Sequence, residues 1–399
     1  MRRHAFVAAI TGGLALIASP SSSRAQQETR QVAQLRGAIL RPTKADFTDA
    51  RLRALRAPPG FRVGVFASKL GSPRMMAVGD DGTVYVTRPD SNDVIALRDA
   101  DGDGNAEVMQ KVAGQLEHVH GIALHENALY FATVKEVYRL PLAGAGTAPP
   151  VKILEGLPDG SQHPKRTIGF GADGMLYVSI GSTCNVCIEM NREAAAILRA
   201  KPDGSERGVY ASGLRNTIGF AWHPETKELW GMDIGADWRG DNLPPEELNR
   251  IQGATHYGWP FCIGDRRPDS LFIGEPRGSS KAQFCKGTAA PLVTLPAHSS
   301  PIGMAFYTGT QFPESHRGDA FVAARGSWNR AVPSGYKVMR IRFEGGKPVA
   351  AEDFVSGFLL PGGSSYFARI AGVAVARDGA LLVSDDANGV IYRVTYEGK

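Results

Sequence analysis

The chain has 399 residues, and 45 lysines and arginines against 40 acidic residues give it a formal net charge of +5. This length allows one or two domains with a large core, and the cationic residues are spread along the chain rather than gathered in one block. We therefore expect no nucleic-acid partner, and no apolar run beyond the N-terminus is long enough to span a membrane.

The first 25 residues have the order of parts of a secretory signal peptide. Arg2 and Arg3 precede an apolar run from Phe6 to Ala18, and the small-x-small sequence Ser23-Arg24-Ala25 precedes Gln26. This order predicts cleavage after residue 25 and export of the mature chain to the periplasm or the exterior.

The four cysteines all follow that segment, at positions 184, 187, 262 and 285. An even number of cysteines in an exported chain favours disulfides. Three pairings are possible, and proximity in the sequence favours Cys184–Cys187 and Cys262–Cys285. The CxxC sequence does not match a haem attachment site, because Ile188 rather than histidine follows it.

A turn with Asp-Gly or a polar equivalent, followed by short alternating strands, recurs six times. Asp-Gly between alternating apolar runs is typical of a β-hairpin. The first four units lie roughly 45–50 residues apart, which is the length of a propeller blade. The units start at GDDGTVYV (79), HENALYFA (125), GADGMLYV (171), HPETKELW (223), FPESHRGDAFVA (312) and ARDGALLV (376).

This repeat predicts an all-β fold, a six-bladed β-propeller over residues 61–399 with a loop-rich insertion between Asp237 and Ser300. The strand Phe61–Ser68 precedes the first unit and is expected to complete the last blade. Residues 26–60 then form an N-terminal extension. Helical periodicity is confined to Arg192–Leu198 and to a short stretch near Lys44–Leu55.

The segment Asp99–Glu107, DADGDGNAE, starts like an EF-hand calcium loop. Gln110 stands where a complete loop has glutamate, and no helices flank the segment, so a polar turn explains it equally well. The histidines have no HExxH or other paired spacing, so the sequence gives little support to a zinc site.

Three polar segments are candidates for chemistry. His163 precedes a predicted strand and has the side chain best suited to general-base catalysis near neutral pH. Arg215 and Asn216 also precede a strand; an arginine there can bind a planar anion, although a surface Arg–Asp pair is the simpler interpretation. The loop Gly231–Cys262 offers carbonyls and carboxylates that suit calcium, or it is a surface insertion.

Four motifs together resemble the soluble pyrroloquinoline quinone (PQQ)-dependent glucose and sorbosone dehydrogenases. They are HPKRTIGFGADGMLYVSIG, GLRNTIGFAWHP, EELNRIQGATHYGWP and PIGMAFYTGTQFP. The GSTCNVC and GSWNR stretches are similar to those of the sorbosone dehydrogenase-like, aldose-type branch. The resemblance covers most of the chain after residue 58 and implies a six-bladed propeller that binds PQQ and calcium on one face.

The resemblance also implies roles for individual residues. His163 matches the catalytic base, and Arg215 and Asn216 match the residues that contact the quinone. The other matches are Arg369, with Arg325 or Arg330, for the PQQ carboxylates; the carbonyls of Gly235 and Ala236 for the calcium of the cofactor; and Glu247 and Tyr257 for a structural calcium.

Two positions depart from the family pattern. Ser182 stands where glucose-oxidising members have the aspartate that orients the base, and a serine cannot stabilise an imidazolium by charge. Ala371 stands where the family has a second arginine. The orientation of His163 and the affinity for PQQ are the properties that these changes affect.

The function that follows is PQQ-dependent oxidation of an aldose or an aldehyde such as sorbosone. Hydride passes to PQQ, calcium acts as a Lewis acid, His163 removes the hydroxyl proton and Arg215 stabilises negative charge. A separate electron acceptor is required. A calcium-dependent lactonase-like hydrolase and a non-catalytic binding propeller are the alternatives, and the serine at position 182 leaves the latter open.

Overall fold

The computed structural model describes residues 37–142 and 149–398. The predicted signal peptide, and the N-terminal extension before residue 37, lie outside the described residues. The described chain opens with β1 (Thr43–Lys44), α1 (Asp49–Arg53) and β2 (Phe61–Ala67). The short helix falls within the stretch near Lys44–Leu55 where the sequence shows helical periodicity, and the Thr48 side chain caps it by accepting from the backbone N–H of Arg51.

Six sheets follow one another along the chain, each with four antiparallel strands, and a short fifth strand pairs parallel at the edge of the third. The strands of the first three are β3 (Met76–Val78), β4 (Val84–Arg88), β5 (Asp93–Arg98), β6 (Val108–Ala113), β7 (Gly121–His125), β8 (Ala128–Ala132), β9 (Val137–Pro141), β10 (Val151–Leu154), β11 (Ile168–Phe170), β12 (Leu176–Ile180), β13 (Ala196–Ala200) and β14 (Gly208–Ser212).

The second half of the chain forms the other three sheets and the insertion. Its elements are β15 (Thr217–Trp222), β16 (Leu229–Asp233), β17 (Glu246–Ile251), β18 (Thr255–His256), β19 (Cys262–Ile263), β20 (Arg267–Pro268), α2 (Lys281–Lys286), β21 (Val293–Leu295), β22 (Pro301–Phe306), a 3₁₀ helix (Glu314–His316), β23 (Ala320–Ala324), β24 (Lys337–Glu344), β25 (Lys347–Val355), β26 (Ser365–Tyr366), β27 (Ile370–Val375), β28 (Leu381–Asp385) and β29 (Val390–Tyr396).

The six sheets are the blades of a propeller, as the repeat predicts. The last blade has the strand order β2-β29-β28-β27, so a strand from the start of the domain pairs with the C-terminal strand. Val63 lies opposite Val394 in this pairing. The prediction that Phe61–Ser68 completes the last blade is therefore confirmed, and the ring is closed by strand pairing between its two ends.

The second strand of five blades is buried at every position, in β8, β12, β16, β23 and β28. A strand covered on both faces has no polar alternation, because each blade packs between two neighbours. The largest core cluster lies around the fifth and sixth blades and includes Phe321, Phe354 and Tyr392. Phe47 and Leu52 of the N-terminal segment pack against this cluster.

One detail of the predicted organisation is wrong. The segment Arg192–Leu198 is not helical: Ala196–Ala200 is the strand β13, paired on both sides with β12 and β14. A run this short makes a weak helix alone, and sheet pairing decides its conformation. The insertion is rich in loops, as predicted, and β17 and β21 within it complete the fourth blade.

Both disulfides predicted from proximity are present. Cys184 is bonded to Cys187, and Cys262 is bonded to Cys285 within the insertion. In the part of the chain that the structure describes, no helix has the length and apolar character needed to cross a membrane.

The first strand of each blade lines the central channel, and glycines let these backbones approach one another. A Cβ at Gly303 in β22 would lie 2.1 Å from the carbonyl oxygen of Ala371 in β27. We expect Gly303→Ala to lower the free energy of unfolding by about 1–3 kcal/mol, because one of the two backbones must shift. Denaturant unfolding measures this effect.

Gly208→Ala is the matched control, because Gly208 also lies in a strand and a Cβ there meets nothing within 4 Å. Its free energy of unfolding should stay within about 0.5 kcal/mol of the parent value. Equal losses for the two variants would show that close approach around the channel is not what requires glycine at position 303.

Candidate active site

The predicted site residues lie in loops at one end of the propeller. His163 precedes β11, Arg215 and Asn216 precede β15, and Arg369 precedes β27. First strands of successive blades run in the same direction, so the loops before them meet on one face. The loops after second strands end on this face too, and they contain Ser182, Gly235, Ala236, Arg325 and Asp386.

The ring of His163 is held in one tautomer by Ser182. Its Nδ1 lies 2.8 Å from the carbonyl oxygen and 3.0 Å from the hydroxyl oxygen of Ser182. A carbonyl only accepts hydrogen bonds, so Nδ1 carries the proton and Nε2 is the basic nitrogen. The Ser182 hydroxyl donates in turn to the carbonyl oxygen of Cys184 at 2.7 Å.

The loop that carries His163 is fixed by Arg166. This guanidinium, buried in the core, donates to the carbonyl oxygens of His163 at 2.9 Å and of Val134 at 3.0 Å. It also donates to the carbonyl oxygen of Pro158. The base is therefore anchored through its backbone as well as through its ring.

Burial lowers the pKa of His163 to about 3, and the positive charge of Arg215 adds to this effect. The hydrogen bond to the Ser182 carbonyl opposes the shift without reversing it. A neutral imidazole with a free Nε2 can accept a proton, which is the state that a general base requires.

Arg215 is buried, and its guanidinium is bound to neighbouring loops. Nε donates to the carbonyl oxygen of Asn185 at 3.0 Å, and one terminal nitrogen donates to the side-chain oxygen of Asn185 at 2.9 Å. The other terminal nitrogen donates to the carbonyl oxygen of Ile234 at 3.1 Å. An arginine has five N–H groups, so this arrangement leaves two of them for a ligand.

Asp233 fixes the backbone beneath Arg215 and Asn216. Its carboxylate accepts from the backbone N–H of Arg215 at 2.9 Å, from that of Asn216 at 2.8 Å and from the hydroxyl of Thr217 at 2.8 Å. Burial raises the pKa of Asp233 to about 6 in spite of these donors.

The structure brings Asn216 close to His163, with Gly181 between them. A Cβ at Gly181 would lie 2.4 Å from Cβ of His163 and 2.8 Å from the side-chain oxygen of Asn216. Only glycine allows this approach. The base, Arg215 and Asn216 thus form one group, and the backbone N–H of Ser182 joins it by donating to the carbonyl oxygen of Arg215 at 2.8 Å.

A cationic pocket of about 360 Å³ opens on the same face. Five cationic side chains line it, together with Asp90 and Asp386. Asp386 lies 2.6 Å from Arg74 and 2.7 Å from Arg325. Burial alone raises the pKa of Asp386, but the two guanidiniums outweigh it and hold the pKa at about 2. The five cations are Lys44, Arg74, Lys165, Arg325 and Arg369.

The cationic pocket contains donors that the protein does not use. The Nε atoms of Arg74 and Arg369 are buried without a hydrogen-bond partner among the described residues. Burial lowers the pKa of Lys165 to about 8, and the charge of Arg74 lowers it further in the same direction. Crowded, desolvated cations of this kind are stabilised by an anionic ligand.

Of the two arginines considered for the carboxylate role, only Arg325 lines the cationic pocket. Arg330 donates instead to the carbonyl oxygen of Ala297 at 3.2 Å and to the side-chain oxygen of Asn242 at 2.9 Å. Arg369 lines the pocket beside Tyr366, with its guanidinium 5.8 Å from the ring centroid.

The residues predicted to bind metal border a small enclosed cavity beside Arg215. Gly235, Ala236, Glu247 and Tyr257 all line it, together with Asp233. Burial raises the pKa of Glu247 to about 8, with the charge of Asp233 as the next cause. Glu247 accepts from the backbone N–H of Gly264 at 2.9 Å. Buried carboxylates that repel each other are a setting in which a cation is stabilising.

The acidic loop Asp99–Glu107 connects β5 and β6, and therefore lies between strands and not helices. Carboxylate oxygens of Asp99, Asp101, Asp103 and Glu107 lie within 4.8 Å of one another. Several of them accept from backbone N–H groups of the same turn, such as Gly102 to Asp99 at 2.7 Å.

A cavity of about 710 Å³ opens at the other end of the channel. Its lining includes Met75, Phe220, Trp222 and Phe306. The residues suited to binding an anionic ligand therefore lie at the face with His163. The larger cavity lacks the cationic residues of that face.

Sequence reasoning missed Arg74, Lys165 and Asp386. The signal for Arg74 was present in the repeat, because Arg74 precedes β3 much as Arg369 precedes β27. An alignment of the six blades with one another would have found it. Asp386 directly follows β28, and only the folded ring brings it to Arg74, which is 312 positions away.

Known proteins share this fold and much of its length. An uncharacterised protein of Borreliella burgdorferi is 29% identical over 360 residues, which is 86% of this chain and 91% of the relative. The PQQ domain of pyranose dehydrogenase from Coprinopsis cinerea, in its holo form, has a TM-score of 0.72 at 19% identity, covering 86% of this chain and 97% of that domain.

A calcium structure of a family AA12 enzyme from Trichoderma reesei has a TM-score of 0.71 at 20% identity, covering 86% of this chain and 97% of that one. The family model described as TrAA12-like matches residues 55–397, which include every blade and every residue of the candidate site. The resemblance to sugar dehydrogenases noted in the sequence is thereby confirmed at the level of the family: this chain belongs to the TrAA12-like family.

Proposed function

We propose that the protein is a PQQ-dependent dehydrogenase that oxidises an aldose or an aldehyde such as sorbosone, with calcium as a second cofactor. The observation that carries the proposal is the pairing of a cationic pocket with a histidine held as the Nδ1–H tautomer on the same face. The pyranose dehydrogenase domain similar to this chain contains PQQ, and the similar AA12 structure contains calcium.

The residues present fit PQQ, which has three carboxylates and an o-quinone. Five cations and two acids line the pocket, and two guanidinium Nε atoms there lack partners among the described residues. Arg325 and Arg369 would hold carboxylates, and Arg74 and Lys165 would add charge that Ala371 cannot supply. Arg215 and Asn216, beside His163, would contact the quinone end.

The residues at the enclosed cavity fit calcium, which prefers oxygen ligands. Gly235 and Ala236 would offer carbonyl oxygens on the side of Arg215 and the cofactor. Glu247 and Tyr257 line the same cavity and would hold a structural ion, with Asp233 as a further carboxylate.

PQQ with calcium supplies a two-electron acceptor for the hydride of the substrate C–H bond. The protein supplies the rest. His163 Nε2 accepts the hydroxyl proton of the substrate, while Nδ1–H keeps the ring aimed through Ser182. Arg215 places positive charge where negative charge grows, and its buried guanidinium is held by Asn185 and Ile234. A separate electron acceptor completes the cycle.

Two disulfides and the predicted leader support an exported protein, in the periplasm or outside the cell. The hydrolase alternative has less support, because a calcium-dependent lactonase needs no cationic pocket for three carboxylates. A propeller that binds PQQ and catalyses nothing would have the same pocket, so turnover has to be measured directly.

Reconstitution tests the proposed function. The purified apo-protein is titrated with PQQ in the presence of calcium, and aldoses, sorbosone and simple aldehydes are assayed with an artificial electron acceptor. Saturable binding at micromolar PQQ and cofactor-dependent turnover are expected. Absence of binding would overturn the proposal, and lactone hydrolysis with calcium alone would replace it by the hydrolase.

A further inference from the structure

We propose that Asn185, at the tip of the loop closed by the Cys184–Cys187 disulfide, is a positioning residue for Arg215, and that this closed loop sets the geometry of Arg215 and His163 together. The inference rests on the proposed function for its catalytic consequence. Its structural part concerns only contacts within this chain.

Asn185 binds the guanidinium of Arg215 through two different oxygens. The backbone carbonyl accepts from Nε at 3.0 Å and the side-chain oxygen accepts from a terminal nitrogen at 2.9 Å. A two-point contact fixes the plane of a guanidinium, whereas one hydrogen bond lets it rotate. Asn185 thus determines which N–H groups of Arg215 remain directed to a ligand.

The side chain of Asn185 is itself held on both sides by Asp237. Its oxygen also accepts from the backbone N–H of Asp237 at 2.8 Å, and its amide nitrogen donates to the Asp237 carbonyl oxygen at 3.1 Å. The Asp237 carboxylate in turn accepts from Asn329 at 2.5 Å. The tip of the loop is therefore tied to the fourth and fifth blades.

The same loop reaches the base through Ser182. The Ser182 hydroxyl donates to the Cys184 carbonyl oxygen at 2.7 Å, and the oxygens of Ser182 face Nδ1 of His163. The backbone N–H of Ser182 donates to the carbonyl oxygen of Arg215 at 2.8 Å. A displacement of the loop thus affects the base and the arginine at once.

The disulfide closes this loop over only three residues of separation. Cys184 and Cys187 are partly exposed, whereas Cys262 is mostly buried and Cys285 is fully buried. A dithiol in solution can therefore reach the first disulfide while the second stays intact. Reduction breaks the S–S bond, and the dithiol supplies the two electrons and two protons and becomes a disulfide.

The first test needs no cofactor. In the apo-protein, Arg215 of the parent should react slowly with phenylglyoxal, followed by peptide mass spectrometry, because its guanidinium is buried and bound. In Asn185→Ala the rate of modification of Arg215 should rise about 10-fold, the factor expected for one buried hydrogen bond. An unchanged rate would overturn the proposal, whether or not the protein binds PQQ.

Asn185→Asp and Asn127→Gly are the matched variants. Asp keeps the backbone carbonyl and a side-chain oxygen for Arg215, so it should return part of the protection that Ala loses. Asn127 lies in an exposed turn of the second blade with a φ of 55°, which glycine adopts readily, and its substitution should leave the rate of Arg215 modification unchanged. Equal modification in the Ala and Asp variants would show that the side-chain contact does not hold Arg215.

The second test uses the reconstituted enzyme. Asn185→Ala should lower kcat by about 10- to 100-fold with little change in KM, because the loss falls on a group that acts in the transition state. Mild dithiothreitol, with alkylation confined to Cys184 and Cys187, should lower kcat in the same way. Unchanged kcat in both would limit Asn185 to a structural role; a parent protein that fails to bind PQQ would instead refute the proposed function.

Discussion

Replacing His163 by alanine is expected to lower turnover of the PQQ-loaded protein by a factor of about 10²–10⁴, the usual contribution of a positioned general base. PQQ binding should be retained, because the cations that would hold its carboxylates lie in the cationic pocket and not on the histidine. Steady-state kinetics and a PQQ titration on the same preparation separate the two effects.

The controls follow from the geometry of His163. In His163→Gln the side-chain amide can still donate to the Ser182 carbonyl but offers no comparable base, so its turnover should be as low as that of the alanine variant. His118→Asn changes an exposed histidine whose positive φ of 54° asparagine tolerates, and it should keep parental turnover. Parental turnover in His163→Ala would exclude this residue as the base.

The sequence raises the question of which group orients His163, but only the structure answers it. In the sequence Ser182 stands where relatives have an aspartate, and a serine side chain has no charge with which to stabilise an imidazolium. The backbone carbonyl of the same residue takes over the contact at 2.8 Å. Backbone acceptors leave no trace in residue identity, so only the folded chain reveals them.

The fold was predictable because its signals are local. Asp-Gly turns, alternating strands and a blade-length period all lie within short windows of sequence. The completion of the fourth blade was not predictable, because β17 and β21 pair across a long insertion, as between Glu247 and Thr294. The helical expectation for Arg192–Leu198 was wrong for a related reason, since sheet pairing and not local periodicity decides the conformation of this segment.

The candidate site likewise contains residues that local motifs predict and residues that only the fold brings together. His163, Arg215 and Asn216 lie in motifs that can be read locally, each directly before a strand. The cationic pocket is assembled from residues of four blades. The departures at Ser182 and Ala371 suggest a weaker site only when these other pocket residues are not considered. Arg74 and Lys165 bring two further positive charges to the pocket that the sequence comparison did not anticipate.

Removing the charge of Arg369 is expected to weaken PQQ binding by about 30- to 4,000-fold. The guanidinium donates to the protein through one terminal nitrogen, to the Gly326 carbonyl oxygen at 3.1 Å, and its buried Nε has no partner among the described residues. Truncating one member of a buried, charge-assisted pair typically costs about 2–5 kcal/mol, and each 1.4 kcal/mol is about tenfold in affinity. Arg369→Gln, titrated with PQQ and calcium, measures the loss.

Arg377→Gln is the matched control, because Arg377 follows the other end of the same strand β27 and is exposed on the opposite face. Its PQQ affinity should stay within about twofold of the parent, which would show that local charge and not net charge binds the cofactor. Equal losses in Arg369→Gln and Arg377→Gln would contradict the assignment of the cationic pocket to the carboxylates.

The pH dependence of PQQ binding is an independent test of the cationic pocket. Burial, with the charge of Arg74, lowers the pKa of Lys165 to about 8, so Lys165 is cationic below that value and loses its charge as the pH rises through it. PQQ affinity of the parent should therefore fall between about pH 7 and about pH 9, because the carboxylates meet one cation fewer. Lys165→Met should bind more weakly at pH 7 and lose this dependence, and a parental slope in that variant would assign the titration to another group.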